Sequence, residues 1–134
     1  MTSKNFLLSG TIILAFAVII GAFGAHALKI VLSETGKSEV FETAVRYHFY
    51  HGFALLFVGL LMQKAETDNH TTNKTNILKW AGNTFLVGLF LFCGSLYTLS
   101  LTGFTKLGMV APLGGFAFIV SWFLCAYHIY KYEM

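Results

Sequence analysis

The sequence predicts an all-α membrane protein in which four transmembrane helices pack up-down-up-down as a single domain over residues 1–134. Three observations carry this prediction. Hydrophobic residues make up 56% of the chain and charged residues only 11%, against about a quarter charged in soluble domains. The charges cluster between apolar runs, and the mean hydropathy is +0.68. Those runs have the length that a helix rising about 1.5 Å per residue needs to cross a hydrocarbon core about 30 Å thick. In lipid only helices or closed barrels satisfy their backbone hydrogen bonds, and short connections favour antiparallel neighbours.

The first span is predicted over residues 6–28. Lys4 and Ala25-His26-Ala27 imitate a signal peptide with its cleavage site, but the apolar run exceeds the roughly 7–15 residues of a signal core and reads as a retained span. Residues 29–42 form the first connection, in which Ser38 is a candidate N-cap and Glu39 and Glu42 lie near the positive end of the helix starting there. That helix is expected to follow the interface through Phe41 and to span 45–62. Residues 63–76, rich in Thr and Asn, are expected to be a mobile polar loop, and the sequons Asn69-His70-Thr71 and Asn73-Lys74-Thr75 read as chance matches.

Lys79 and Trp80 mark an interfacial entry to the third span, 77–99, and a tight connection through Thr102, Gly103 and Lys106 leads to the fourth, 107–130. Pro112 removes a bond to the Gly108 carbonyl and predicts a kink in the fourth helix. Ala17, Gly21 and Ala25 share one face of the first helix, and Gly108, Ala111 and Gly115 share one face of the fourth. Together with Gly24, Gly94, Pro112 and Gly114 they are the expected helix-packing residues.

The basic residues divide almost evenly, with Lys4, Lys64, Lys74, Lys79 and Lys131 on one side and Lys29, Lys37, Arg46 and Lys106 on the other. The positive-inside rule therefore leans slightly towards cytoplasmic termini of a multi-pass protein in a bacterial cytoplasmic membrane. No basic stripe with interleaved aromatics points to nucleic acid. Cys93 and Cys125 read as buried apolar residues.

Up-down topology brings His26, the run Arg46-Tyr47-His48-Phe49-Tyr50-His51, Ser95, Tyr97, Ser100, Lys106 and Pro112 to one side of the membrane, leaving mainly Gln63, Trp80, Asn83 and His128 on the other. His48 and His51 lie about 60° apart around the helix, while Arg46 is nearly opposite and can snorkel to headgroups. Ionisable residues just below the interface are functional candidates by default. The candidate ligand-binding residues are thus His26, His51, His48, Tyr47, Tyr50, Arg46, Ser95, Tyr97 and Lys106. The bland alternative has the histidines tying helices together and the tyrosines anchoring at the interface.

His26, His48 and His51 could offer nitrogens to a metal or haem, but only Glu42 stands near as a supporting carboxylate and no CxxCH motif occurs. No metal or cofactor is assigned. No nucleophile, acidic-pair or His-Glu-x-x-His pattern points to an enzyme.

The stretch Gly21-Ala22-Phe23-Gly24-Ala25-His26-Ala27-Leu28-Lys29 and the stretch Phe41-Glu42-Thr43-Ala44-Val45 continuing through Arg46 to His51 resemble the signature of the domain of unknown function 423 family. This is also called uncharacterised protein family 0382 and is similar to transmembrane protein 256. Gly94-Ser95-Leu96-Tyr97, Pro112-Leu113-Gly114-Gly115 and Trp122 extend the resemblance over nearly the whole chain. It implies a small four-span membrane protein without an established activity. His48 is often Gln in that pattern and Ser121 stands where Gly is expected, which ranks His26 with His51 above His48.

The leading expectation is an accessory, assembly or interaction subunit that docks with a membrane protein or with itself through glycine-rich faces. The alternative is a site for a small molecule or lipid headgroup, where His26 and His51 donate hydrogen bonds or exchange protons and Arg46 or Lys106 attracts an anion. A third is an oligomeric transporter.

Overall fold

The computed structural model describes residues 1–68 and 72–133, which contain helices and no strand. In order these are α1 (Ser3–Ala25), α2 (Lys29–Thr35), α3 (Ser38–Thr67), α4 (Thr72–Gly88), a π-helical turn (Leu89–Cys93), α5 (Gly94–Thr102), a 3-10 turn (Thr105–Met109) and α6 (Ala111–Tyr132). Three stretches of these residues are long and apolar enough to cross a membrane: Ser3–Ala25, Thr72–Thr102 and Thr105–Tyr132. At 30 residues α3 has the length. It falls outside that set by composition, because Arg46, Tyr47, His48, Tyr50 and His51 fill its first half.

Several boundaries differ from the sequence expectation. The first connection holds α2, which ends at Gly36 with φ 65°, a left-handed conformation that costs glycine nothing. Ser38 is the first residue inside α3, with Lys37 at the cap position and no side-chain cap bond. Helix also occupies most of the expected loop at 63–76, since α3 runs to Thr67 and α4 starts at Thr72. The reason is tertiary: Ala65 is buried, and the Ser3 N–H and hydroxyl both donate to the Glu66 carboxylate. Residues 69–71, which carry the Asn69-His70-Thr71 sequon, lie outside the described residues.

Pro112 falls in the first turn of α6, where its missing N–H is no loss, so it starts the helix instead of kinking it. For the same reason Gly108 lies in the 3-10 turn and not on the face of Ala111 and Gly115.

The long elements pack antiparallel in pairs. Against α3, α1 presents Gly10, Ala17 and Gly24 at seven-residue spacing. A Cβ on Gly10 would meet Leu56 at 2.8 Å and the Gly52 carbonyl oxygen at 3.1 Å, and Phe41 fills the space beside Gly24. Gly59 takes Leu7 in the same way. Ala25 is exposed and lies off this face, while Gly21 meets only Val45 at 3.3 Å. Between α4 and α6, Gly88 receives Phe118 and Gly114 receives Phe92, but Gly94 has open space beside it and Gly115 only ordinary contact.

The core runs through Phe6, Leu55, Val58, Met62, Leu78 and Phe85, and Phe6 seats on Gly82. At the other end α2 is tied to α5 by the Thr35 hydroxyl, which donates to the Ser100 carbonyl at 2.7 Å. Thr35→Val is expected to raise hydrogen exchange across α2 and to lower global stability by no more than about 1 kcal/mol. Unchanged α2 protection would show that the bond does not hold that helix.

Candidate functional site

Two helical turns of α3 carry the polar run, and the π-helical turn decides what each of its side chains meets. Hydrogen bonding from residue i to i+5 accommodates an extra residue between α4 and α5, with Phe92 lining the groove beside α6 and Phe90 and Cys93 lining the groove beside α1. His51 and His48 consequently open into different grooves.

His51 is buried at 4% exposure. Its ring stacks on Phe118 with centroids 3.5 Å apart and planes 6° from parallel. The Trp122 indole N–H donates to His51 Nε2 at 3.4 Å, while His51 Nδ1 lies 2.8 Å from the Tyr47 carbonyl oxygen. An indole nitrogen can only donate and a carbonyl can only accept, so the pattern selects the imidazole with its proton on Nδ1. Tyr47 packs on Phe92 with centroids 4.6 Å apart, and Phe85 meets Trp122 edge to face at 5.1 Å. Tyr47, His51, Phe92, Phe118 and Trp122 form one wall of a groove of about 720 Å³, which Tyr50, Pro112 and Gly115 also line, with Phe85 buried behind it. Neither the Tyr47 nor the Tyr50 hydroxyl bonds another described residue; both side chains are exposed.

His48 faces a smaller groove of about 330 Å³ beside Ile13, Phe16, Leu89 and Cys93. Its Nδ1 lies 3.0 Å from the Tyr97 hydroxyl, whose ring also meets Phe41 at 5.3 Å. This pair ties α3 to α5. Arg46 belongs to neither groove. It lines a cleft of about 560 Å³ between α1, α2 and α3 with Gly21, Gly24, Lys29 and Glu42, and its Nε donates to the Glu42 carbonyl at 3.5 Å.

The remaining candidates stand apart. Ser95 donates to the Phe92 carbonyl of its own helical turn at 3.0 Å. Lys106 is exposed in the 3-10 turn and lines none of these three cavities. His26 is exposed at the end of α1 and is absent from the linings of both histidine grooves, so the structure does not bring it together with His51. The cause is the early end of α1 at Ala25, which leaves His26 outside the helix that packs on α3. Among the described residues no three His, Cys, Asp or Glu side chains converge as metal ligands.

Sequence reasoning missed Phe118, Trp122 and Phe85 as partners of His51. Phe118 and Trp122 are one helical turn apart and share a face, which is a readable signal, but their pairing with His51 follows only from the register of α6 against α3. It also passed over the far end of the helices, where Lys64 donates to Glu133. That bond holds the Glu133 carboxyl below its ordinary range and raises the Lys64 ammonium.

A family model described as protein of unknown function (DUF423) matches residues 20–115. The UPF0382 membrane protein YwdK of Bacillus subtilis is 39% identical over 129 residues, covering 96% of this chain and 98% of the relative. The UPF0382 membrane protein SH2409 of Staphylococcus haemolyticus is 36% identical over 129 residues with the same coverage. A UPF0382 membrane protein of Staphylococcus epidermidis is 40% identical over 119 residues, 89% of each chain. No solved structure matches. Both motif stretches around His26 and His51, together with the π-helical turn, fall inside the matched region, and the chain belongs to the DUF423 family of UPF0382 membrane proteins.

Proposed function

We propose that the protein spans a membrane four times, with α3 as the fourth crossing element and both ends on the cytoplasmic side, and that it binds a planar, oxygen-bearing ring carried on an apolar tail. The stacked wall His51–Phe118 with Trp122 is the observation that carries this reading. Aromatic faces favour a planar ligand. The Tyr47 and Tyr50 hydroxyls stand at the rim as donors for carbonyl oxygens, and the apolar surface of Phe116 and Ile119 suits a tail lying in lipid. In this reading His51 is a positioning residue, because both its nitrogens already hold the wall together.

For the four crossings, the support is the antiparallel packing of α3 on α1 and its 30-residue length. Arg46 and the tyrosines then fall at the interface, where snorkelling avoids the cost of a central charge.

Trp122 sits in the groove and Trp80, 69% exposed, lies elsewhere, so intrinsic fluorescence tests the site. In nanodiscs, a benzoquinone with a decyl tail should quench Trp122 saturably in a Trp80→Phe protein. The Trp122→Phe protein should show only the linear quenching of a probe dissolved in lipid. Linear, equal quenching of both tryptophans would remove the proposal.

The accessory-subunit reading draws on the outer face of α1, where Leu8, Ile12, Phe16, Ile19 and Phe23 are all exposed. Lipid covers such a face equally well, and a stoichiometric protein retained in mild detergent would be needed to favour a partner.

A further inference from the structure

His128 stands on α6 at the far end of the helices from His51, where α3 finishes and α4 begins. Its side chain is fully enclosed, at 0% exposure, and neither ring nitrogen has a hydrogen-bond partner among the described residues. A buried imidazole in that state gives up the hydration of two polar atoms without a close hydrogen bond in return, which an apolar side chain of similar volume would not have to do. Packing alone does not account for a histidine here.

The groups around it are few. On its own helix Glu133 places Oε1 at 3.7 Å from His128 Nε2, beyond hydrogen-bond reach, and the Tyr132 ring centroid lies at 5.3 Å. From α3, Lys64 donates to the other oxygen of Glu133. From α4, the Lys74 ammonium lies 5.5 Å above the Tyr132 ring, and the Lys74 backbone carbonyl faces the imidazole. The Lys131 ammonium donates to the Tyr127 hydroxyl at 3.2 Å and lies 5.3 Å from the centroid of the Tyr132 ring. Among the described residues, Glu133, already engaged by Lys64, is the carboxylate that faces His128, and Asp68 acts on Lys64 from the end of α3.

We propose that His128 is a proton-binding site whose occupation opens this end of the protein, freeing the last turns of α6 from α3 and α4. The uncharged ring fits the closed packing. An imidazolium would be a further cation beside Lys64 and Lys74, sealed from water, with the long 3.7 Å approach of Glu133 Oε1 as its nearest carboxylate contact among the described residues while the other oxygen holds Lys64. Hydrating the new charge requires the α6 end to move outward, carrying Glu133 away from Lys64. Histidine changes charge between about pH 5 and 8. Glu133 and Lys64 keep their charges over that window, because each is shifted away from it by the other. In the orientation proposed above, the proton comes from the cytoplasm that bathes this end.

Hydrogen exchange by mass spectrometry tests this on the full chain in lipid nanodiscs, at about pH 8 and about pH 5.5 and corrected for the intrinsic rate. In the wild type, protection across the last turns of α6 should fall at least tenfold at the lower pH, while the α1–α3 contact keeps its protection. His128→Phe, with His128→Leu as a smaller second variant, should show equal protection at both pH values. Wild-type protection that holds or rises on acidification would overturn the proposal. So would a tenfold fall that persists in both variants, since the titrating group would then lie elsewhere.

Discussion

Gly114→Ala is expected to destabilise the protein by about 1–3 kcal/mol, although alanine is the better helix former by about 1 kcal/mol. A Cβ at this position would lie 2.4 Å from the Phe92 backbone nitrogen and 2.7 Å from Phe92 Cβ. Backbone cannot swing aside as a flexible side-chain tip can, so α6 must back away from the π-helical turn or the turn must rewind. Both responses displace Phe92 from Tyr47 and widen the groove beside His51. The measurement is the thermal midpoint in detergent, paired with saturable quenching of Trp122. Gly115→Ala, where the nearest atoms stand at an ordinary 3.8 Å, is the matched control for stability and should not lower the thermal midpoint. A Gly114→Ala protein of wild-type stability would mean that α6 approaches the third column less closely.

His51→Leu separates a wall that positions a ligand from a histidine that merely ties helices. Leucine removes the acceptor of the Trp122 indole and the ring that stacks on Phe118. The Tyr47 carbonyl keeps its place in the α3 backbone ladder, so its loss is small. Single side-chain hydrogen bonds between membrane helices average about 0.6 kcal/mol, and the expected stability loss is at most about 1 kcal/mol. Binding should suffer more. With Trp122 and Phe118 released to other rotamers, the wall loses its preorganised geometry, and affinity for the tailed benzoquinone is expected to fall at least about tenfold, or about 1.4 kcal/mol. Large destabilisation with intact quenching would make His51 a structural tie and leave the ligand to the tyrosines.

Much of the helical pattern was legible because apolar run length and the positions of charge respond to the membrane directly. The four runs correspond to the three apolar stretches and α3, whereas the face expected on α1 from Ala17, Gly21 and Ala25 is rotated in the structure to Gly10, Ala17 and Gly24. Local chemistry misled where tertiary contacts intervened. Thr- and Asn-rich residues near Gln63 and Thr75 read as loop, yet Ser3 binding Glu66 extends α3 beyond its apolar segment. Pro112 read as a kink only because the fourth span was drawn starting at Leu107; a 3-10 turn there shifts the proline to the helix start.

The candidate site was half visible. Its second-helix residues Tyr47, Tyr50 and His51 stand out as polar and aromatic side chains that are costly within an apolar helix, and sequence alone can register that cost. The grouping of those residues was not visible. A drawing of straight helices puts His48, His51 and His26 under one set of loops, whereas in the structure His48 meets Tyr97 of α5, His51 meets Trp122 of α6, and α1 ends before His26.

By itself, then, the sequence determined that this is a helical membrane protein of its family and which residues carry unusual polarity, because hydropathy and residue type are local properties. Only the tertiary structure decided which of them meet. Helix register, the extra residue of a π-helical turn and the closeness allowed by Gly114 are set by packing between segments distant in the chain, and packing also encloses His128 with no hydrogen-bond partner among the described residues.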